Sequence, residues 1–92
     1  MYTVNYTKRM RKDIQRVQRR GKDISKLFAV LDLLKTGESL PKIYRDHQLK
    51  GDLEDLRECH IESNWLLVYR INEKELVLLA TATGTHADIF GE

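Results

Sequence analysis

The sequence lacks long apolar runs and contains a single cysteine, and both shortages limit the classes of protein to which it can belong. No stretch reaches the roughly 20 apolar residues that a membrane-spanning helix requires, and residues 1–6 lack the apolar run of a signal peptide. The only cysteine, Cys59, cannot form an internal disulfide, which is typical of a reducing compartment. We therefore expect a cytoplasmic protein that does not contact a membrane.

Cys59 is followed by His60, so a catalytic thiol has to be considered. Adjacent residues of a strand point to opposite faces of the sheet, which makes these two side chains poor partners. We interpret Cys59 as a buried structural residue, the commoner role of a free cysteine.

Basic residues are concentrated at one end of a chain whose 92 residues predict a single domain, residues 1–92. Residues 1–22 carry eight basic side chains and one acidic side chain, Asp13, whereas residues 23–92 carry eight basic and thirteen acidic side chains. The electrostatic field of such an uneven charge distribution would attract a polyanion to the basic end, and salt would weaken the attraction. A solvated helix face is the alternative, since most runs of charge are of that kind. The predicted RNA-binding residues of this segment are Lys8, Arg9, Arg11, Lys12, Arg16, Arg19 and Arg20.

Alternation and helical spacing predict a strand followed by two helices. Residues 2–6 alternate in polarity and are rich in β-formers. The apolar stripe of the first helix consists of Met10, Ile14 and Val17. The wider stripe of the second helix consists of Ile24, Leu27, Phe28, Leu31 and Leu34. So few residues separate the two helices that they should form an antiparallel hairpin, with Asp23 capping the second.

The second half predicts the remaining strands and an α+β fold. Residues 56–61, 65–71 and 75–81 are β-like and follow one another through short turns, after a long loop over residues 42–54. Residues 86–90 can form a short C-terminal helical turn. We predict an N-terminal strand, a two-helix hairpin, and antiparallel strands that complete a four-stranded sheet. The hairpin would cover one face and leave the other open for a ligand.

All three histidines, His47, His60 and His86, lie in this second half. An RNA-cleaving enzyme without a metal needs a base for the ribose 2′-hydroxyl, an acid for the departing 5′-oxygen and donors for the phosphate, and histidine can serve as acid or base near neutral pH. Glu58 shares a strand face with His60 and is a candidate partner. Histidines without chemistry and a metal site are the alternatives. However, no His-x-x-x-His or Cys-x-x-Cys spacing occurs, so we predict no metal and no cofactor.

Four segments resemble the YafQ family of RelE-type toxins. Residues 44–51 carry the pattern D-H-x-L-x-G, residues 56–61 carry R-[DE]-x-H, and residues 83–91 carry G-T-H-x-x-[IL]-F; residues 65–69 are the fourth segment. Each motif is weak alone, but all four in order and at the family's spacing make a specific signal over essentially the whole chain. The resemblance implies a RelE-like fold and cleavage of mRNA in the ribosomal A site.

The resemblance also implies which residues form the site. By position the three histidines match the catalytic histidines of the family, and Phe90 matches its active-site aromatic. Asn64 stands where the YafQ family has an aspartate, so this chain has no carboxylate to act at that position. The full set of site residues implied is His47, His60, His86, Phe90, Trp65, Asn64 and Glu58, with Arg57 added to the RNA-binding residues.

Ala82 is the largest departure from the family pattern. An arginine usually stands here and holds the scissile phosphate, and loss of one such donor costs about 3–4 kcal/mol, or two to three powers of ten in rate. We therefore expect this chain to cleave poorly while still binding its partners. Ala82 is then either a detoxifying substitution or a natural difference for which Arg57 or Arg70 compensates.

The partners implied are mRNA on the small ribosomal subunit, a cognate antitoxin of the DinJ kind, and operator DNA reached only through the antitoxin. Two other classes stay open. A ParE-like relative would inhibit a topoisomerase by binding it, without nucleolytic histidines, and a non-catalytic ribosome- or RNA-binding module would fit Ala82. Cleavage of ribosome-bound mRNA separates the three.

Overall fold

A computed structural model describes residues 1–91, in which a pair of helices follows the first strand and a short helix follows the last. The strands are β1 (Thr3–Tyr6), β2 (His47–Gln48), β3 (Arg57–Glu62), β4 (Trp65–Asn72) and β5 (Val77–Gly84). The helices are α1 (Lys8–Arg19), α2 (Ile24–Lys35) and α3 (His86–Phe90), and 3-10 turns span Lys42–Tyr44 and Gly51–Leu53. None of the helices in residues 1–91 is long and apolar enough to cross a membrane.

The strands form one mixed sheet in the order β1-β5-β4-β3-β2. Neighbours from β2 to β5 are antiparallel, whereas β1 runs parallel to β5 at one edge. The predicted α+β class is confirmed, but the four-stranded antiparallel sheet is corrected to five strands with one parallel pair. The two residues of β2 are too few to show the alternation that identifies a strand. The parallel pairing of β1 with β5 joins strands that are distant in sequence, so short turns do not predict it.

The core lies between the sheet and the α1–α2 pair. Trp65, Leu67 and Tyr69 alternate along β4 and point into this core. The buried helical residues that meet the sheet are Met10, Val17, Leu27, Val30, Leu31 and Leu34. Phe28, which was predicted in the stripe of α2, is 39% exposed. Steps of three and four residues from Leu27 reach Val30, Leu31 and Leu34, so the stripe passes beside Phe28.

A β-bulge in β5 decides which face position 82 occupies. Tyr69 pairs with Ala80 and Val68 pairs with Ala82, which leaves Thr81 as the extra residue. Ala80 points into the core beneath the helices. Because the bulge shifts the alternation by one residue, Ala82 lies beside Val68 on the opposite face.

Candidate active site

Cross-strand pairing places several predicted site residues in adjacent rows on the sheet face opposite α1 and α2. One row consists of His47, Glu58, Val68 and Ala82. The next row consists of His60, Leu66 and Gly84. Residues directly opposite one another in paired strands lie about 4.5–5.5 Å apart, so the rows unite side chains that are distant in the sequence.

Glu58 lies between two of the histidines. Its Oε1 is 3.6 Å from Nε2 of His47 and 3.7 Å from Nε2 of His60. Glu58 is only 4% exposed, so water screens its charge weakly from the two rings. The carboxylate can therefore stabilise a positive charge that develops on either imidazole.

The main chain fixes the tautomer of His47. Its Nδ1 lies 2.8 Å from the carbonyl oxygen of Arg45, which can only accept a hydrogen bond, so Nδ1 carries a proton. In the neutral ring Nε2 is then the nitrogen able to take up a proton. A nitrogen held in this way, with a carboxylate beside it, suits a general base.

His60 has two neighbours of opposite character at the same nitrogen. Nη2 of Arg45, which donates, lies 3.1 Å from Nδ1 of His60, and the carbonyl oxygen of Ser63, which accepts, lies 3.3 Å away. Sequence reasoning missed Arg45, because a basic residue in a loop is ordinary. Its place two residues before His47, within the family-like motif, was the signal available.

The short helix α3 brings His86 and Phe90 to the same region. The ring centroid of His86 lies 6.3 Å from that of His60 and 6.0 Å from that of Phe90. The hydroxyl of Thr85 accepts from the N–H of Asp88, and the Asp88 carboxylate accepts from the N–H of Thr85, which fixes the start of the helix. The structure thus brings the three histidines and Phe90 together.

Two arginines predicted to bind RNA also hold α3 in place. Arg20 donates two hydrogen bonds to the Asp88 carboxylate, and Arg9 donates to the Asp88 carbonyl. The bonds from Arg20 hold the pKa of Asp88 well below its usual range. Gly84 allows the close approach, since a Cβ there would lie 2.7 Å from a carboxylate oxygen of Asp88. Its φ of 148° is also one that other residues rarely adopt.

A buried carboxylate ties α1 to β5. Asp13 is 1% exposed and accepts a hydrogen bond from the N–H of Thr83 at 3.1 Å. Arg9 and Arg16 lie 3.4 and 3.0 Å from its two oxygens. A buried charge needs such partners, so part of the positive charge of α1 neutralises this group. Other basic residues of α1 are exposed and form no ion pair with another of residues 1–91; they are Lys8, Arg11, Lys12 and Arg19.

Three predicted site residues lie apart from the histidines. Trp65 is 1% exposed on the helix-facing side and donates to the hydroxyl of Thr83, so its predicted contact with RNA does not fit this structure. Asn64 lies in the exposed turn between β3 and β4. Arg57 is bound to Asp46 at 3.1 Å and pairs across the sheet with Tyr69, on the side of the core. Burial of Trp65 follows from its place in the alternation of β4.

Neither a reactive thiol nor a metal-binding cluster is present in the described part of the chain. Cys59 is fully buried, and burial raises the pKa of its thiol to about 12, which keeps it protonated at neutral pH. Among residues 1–91, no group of three or more histidine, cysteine, aspartate or glutamate side chains is arranged to hold a metal ion.

A cavity of about 520 Å³ lies beside His60, at the part of β3 that extends beyond β2. Tyr44, Arg45 and Ile61 are among its lining residues, with Lys26 and Val30 contributed by α2. The cavity therefore combines apolar and aromatic walls with a histidine and Arg45, while Lys26 is paired there with the carboxylate of Glu62.

Comparison with known proteins identifies the family of the chain. Residues 2–91 match the family described as the bacterial toxin of type II toxin–antitoxin systems, YafQ. The chain belongs to the YafQ toxin family. It is 37% identical over 89 residues to the mRNA interferase toxin YafQ of Escherichia coli strain K12, covering 96% of this chain and 95% of that protein. Endoribonuclease activity is thus a property found in the YafQ family.

Solved structures of similar bacterial toxins share the whole fold. The toxin in the E. coli DinJ–YafQ complex superposes with a TM-score of 0.88 at 33% identity, over 99% of this chain and 100% of that one. A metal-bound toxin from Helicobacter pylori superposes with a TM-score of 0.92 at 38% identity, over 98% of this chain and 100% of that one. The chain is accordingly a toxin of the type II toxin–antitoxin class with the YafQ fold.

Proposed function

We propose that this chain is a ribosome-dependent endoribonuclease that cleaves mRNA in the A site by metal-independent acid–base catalysis. The observation that supports this most strongly is that His47 and His60 flank Glu58 on one sheet face, while α3 brings the His86 ring to within 6.3 Å of the His60 ring. Membership of a family that includes an mRNA interferase supports the same class of reaction.

The proposed reaction is an attack of the ribose 2′-oxygen on the adjacent phosphorus. Nε2 of His47 takes the 2′-hydroxyl proton as the bond from the 2′-oxygen to phosphorus forms, and Glu58 stabilises the resulting imidazolium. The bond from phosphorus to the 5′-oxygen breaks, and protonated His86 gives its proton to that oxygen. The products are a 2′,3′-cyclic phosphate and a 5′-hydroxyl, and Phe90 stacks on a neighbouring base.

The exposed basic residues of α1 would contact ribosomal RNA. Lys8, Arg11, Lys12 and Arg19 are available, whereas Arg9, Arg16 and Arg20 already hold internal carboxylates. The first group of basic residues would therefore dock the protein on the ribosome, and the second group supports the fold. Salt should weaken this docking, because it depends on phosphate contacts.

We propose a cognate antitoxin of the DinJ kind as the second partner, because an E. coli relative is solved in a complex with DinJ. An acidic segment of that antitoxin would complement the exposed basic residues of α1 and shield the histidines. Operator DNA would be reached only through the antitoxin.

The role of Ala82 is part of the proposal. The methyl group lies in the row of His47 and Glu58 and supplies no charge to a phosphate. Without a substitute cation, cleavage would fall by about two to three powers of ten relative to an arginine at this position.

His86→Ala tests the proposed function. His86 is exposed on the short helix α3, so its removal should leave the melting temperature nearly unchanged while cleavage of ribosome-bound mRNA is lost. Cleavage at the unaltered rate would contradict the role of His86. Salt-sensitive ribosome binding without cleavage by either form would instead favour a non-catalytic module, and inhibition of a topoisomerase would favour a ParE-like activity.

A further inference from the structure

Arg45 has an unusual backbone that turns it toward the site. It follows the 3-10 turn Lys42–Tyr44 and adopts φ 48° and ψ 44°, the left-handed region that residues other than glycine seldom occupy. Its N–H donates to the carbonyl of Lys42 at 3.0 Å, which holds this conformation. A conformation of this kind persists only where its surroundings enforce it, and such positions cluster at functional sites.

This conformation lets one residue contact two of the histidines. The carbonyl of Arg45 accepts from Nδ1 of His47 at 2.8 Å, while its guanidinium lies 3.1 Å from Nδ1 of His60. The main chain of Arg45 therefore sets the tautomer of His47, and its side chain extends across to the next strand, β3.

The contact between Arg45 and His60 is one that a substrate can replace. A guanidinium only donates, so Nδ1 of His60 must be unprotonated while Arg45 contacts it. The carbonyl of Ser63, 3.3 Å from the same nitrogen, is the alternative partner once Nδ1 is protonated. An arriving phosphate can thus take over the guanidinium without leaving His60 unpaired.

Arg45 also differs from the other arginines considered for this role. Arg57 is held by Asp46, and Arg70 is held by Asp55 at 3.1 Å. Arg20, directly after α1, is held by Asp88. Arg45 forms no ion pair with a carboxylate among residues 1–91, and its side chain is exposed.

We propose that Arg45 supplies the phosphate-binding cation that Ala82 does not. The inference rests on the proposed function and adds a catalytic residue to it. The guanidinium approaches the phosphodiester from the β2 side of the sheet, whereas an arginine at position 82 would approach from β5. It donates hydrogen bonds to a non-bridging oxygen and stabilises the charge that builds there, while the protons move through the histidines alone.

The test is a set of variants at positions 45 and 82, assayed by single-turnover cleavage of ribosome-bound mRNA. Arg45→Ala should lower the rate constant of the cleavage step about 100- to 1,000-fold with a smaller effect on the concentration that gives half the maximal rate, since the contact strengthens in the transition state. Arg45→Lys should keep part of the rate, because a point charge remains. Lys50→Ala is the control that removes an exposed positive charge just beyond β2, and its rate should be unchanged.

Ala82→Arg distinguishes replacement of a cation from an indirect effect of Arg45. In the Arg45→Ala background it should restore the rate at least tenfold, whereas in the unaltered chain the gain should be smaller. Should Ala82→Arg fail to fold, Arg45→Lys decides, and a rate as low as that of Arg45→Ala contradicts the proposal. The ¹⁵N shift of His60 Nδ1 should also change in Arg45→Ala; an unchanged shift argues against the contact.

Failure of this inference differs from failure of the proposed function. Full activity of Arg45→Ala, with His86→Ala inactive, overturns the role of Arg45 and leaves the ribonuclease intact. If the unaltered chain is inert and Ala82→Arg makes it active, the role of Arg45 is likewise overturned and the proposed ribonuclease reaction stands. Absence of cleavage by the unaltered chain and by Ala82→Arg, with both folded, overturns both.

Discussion

At the scale of single residues, Glu58 is the group on which the two histidines of the sheet depend. Its side chain is almost fully buried, so water screens its charge only weakly from neighbouring groups. Nε2 of His47 and Nε2 of His60 lie within 3.7 Å of its Oε1. Glu58 can therefore stabilise the positive charge that forms when one of these rings gains a proton during the reaction.

Glu58→Gln tests this electrostatic role. The substitution keeps the shape of the side chain and removes its charge, so cleavage should fall about tenfold to a hundredfold. The fold should be retained, which circular dichroism can check. Glu75→Gln, in the exposed turn before β5, is the matched control and should cleave normally. Equal rates for the two variants would show that the charge of Glu58 is not needed.

At the scale of secondary-structure elements, the placement of α3 controls the geometry of His86. A five-residue helix has little stability of its own, and the contacts of Asp88 with Thr85, Arg20 and Arg9 hold it against α1 and β5. The basic helix α1 is thus a structural support for the site as well as a candidate RNA-binding surface.

Asp88→Asn should change how stability depends on pH. The pKa of Asp88 is lowered in the folded state by Arg20, so its charge stabilises the fold above the unfolded value of about 4. That contribution is lost as pH falls from about 4 toward the lower folded pKa. Urea unfolding at several pH values should show the unaltered chain more stable than Asp88→Asn at pH 7, with the difference shrinking below pH 4. Asp32→Asn, on the exposed side of α2, is the control and should not show this pH dependence. A difference in stability between the unaltered chain and Asp88→Asn that stays constant with pH would contradict the stabilising role of the Asp88 charge.

The elements also show where sequence reasoning succeeds and where it stops. Apolar spacing predicts β1, the two long helices and the last three strands, because each buries one regular face. The bulge at Thr81 has no such signal, since Ala80, Thr81 and Ala82 are all small and their order does not show which residue is extra. The side on which Ala82 lies therefore follows only from strand pairing.

The same limit applies to the candidate site. The histidines and Phe90 can be predicted from residue type and family resemblance, because their chemistry is distinctive. Trp65 is misleading because an indole ring can pack in a hydrophobic core or stack on a nucleotide base. Its alternation with Leu67 along β4 places it in the core. Only the position of Arg45 beside His47 marks it in the sequence, since its proposed role comes from a left-handed backbone and two contacts across the fold.

At the scale of the whole molecule, the uneven charge predicts how the toxin meets its target. Residues 1–22 form the basic end, and its exposed members Arg11, Lys12 and Arg19 make no ion pair with another of residues 1–91. Ribosome binding should therefore weaken with salt more steeply than expected from the net charge of +2.

Replacing Arg11, Lys12 and Arg19 by glutamine should weaken ribosome binding and reduce the slope of log affinity against log salt by up to about 2 to 3. Sedimentation with ribosomes at several salt concentrations measures both. The control makes the same change of charge elsewhere, at Lys35, Lys50 and Lys74, and should leave the slope nearly unaltered. Equal slopes for the two triple variants would show that α1 is not the docking surface.

The most direct test of the whole account is the chemistry of the RNA ends produced on programmed ribosomes. Once the cleaved position is mapped, a single 2′-deoxynucleotide placed there should abolish cleavage at that bond, and the all-ribose mRNA should yield a 2′,3′-cyclic phosphate and a 5′-hydroxyl. Cleavage of the deoxy-substituted mRNA, or products with a 5′-phosphate, would contradict attack by the 2′-oxygen between the histidines.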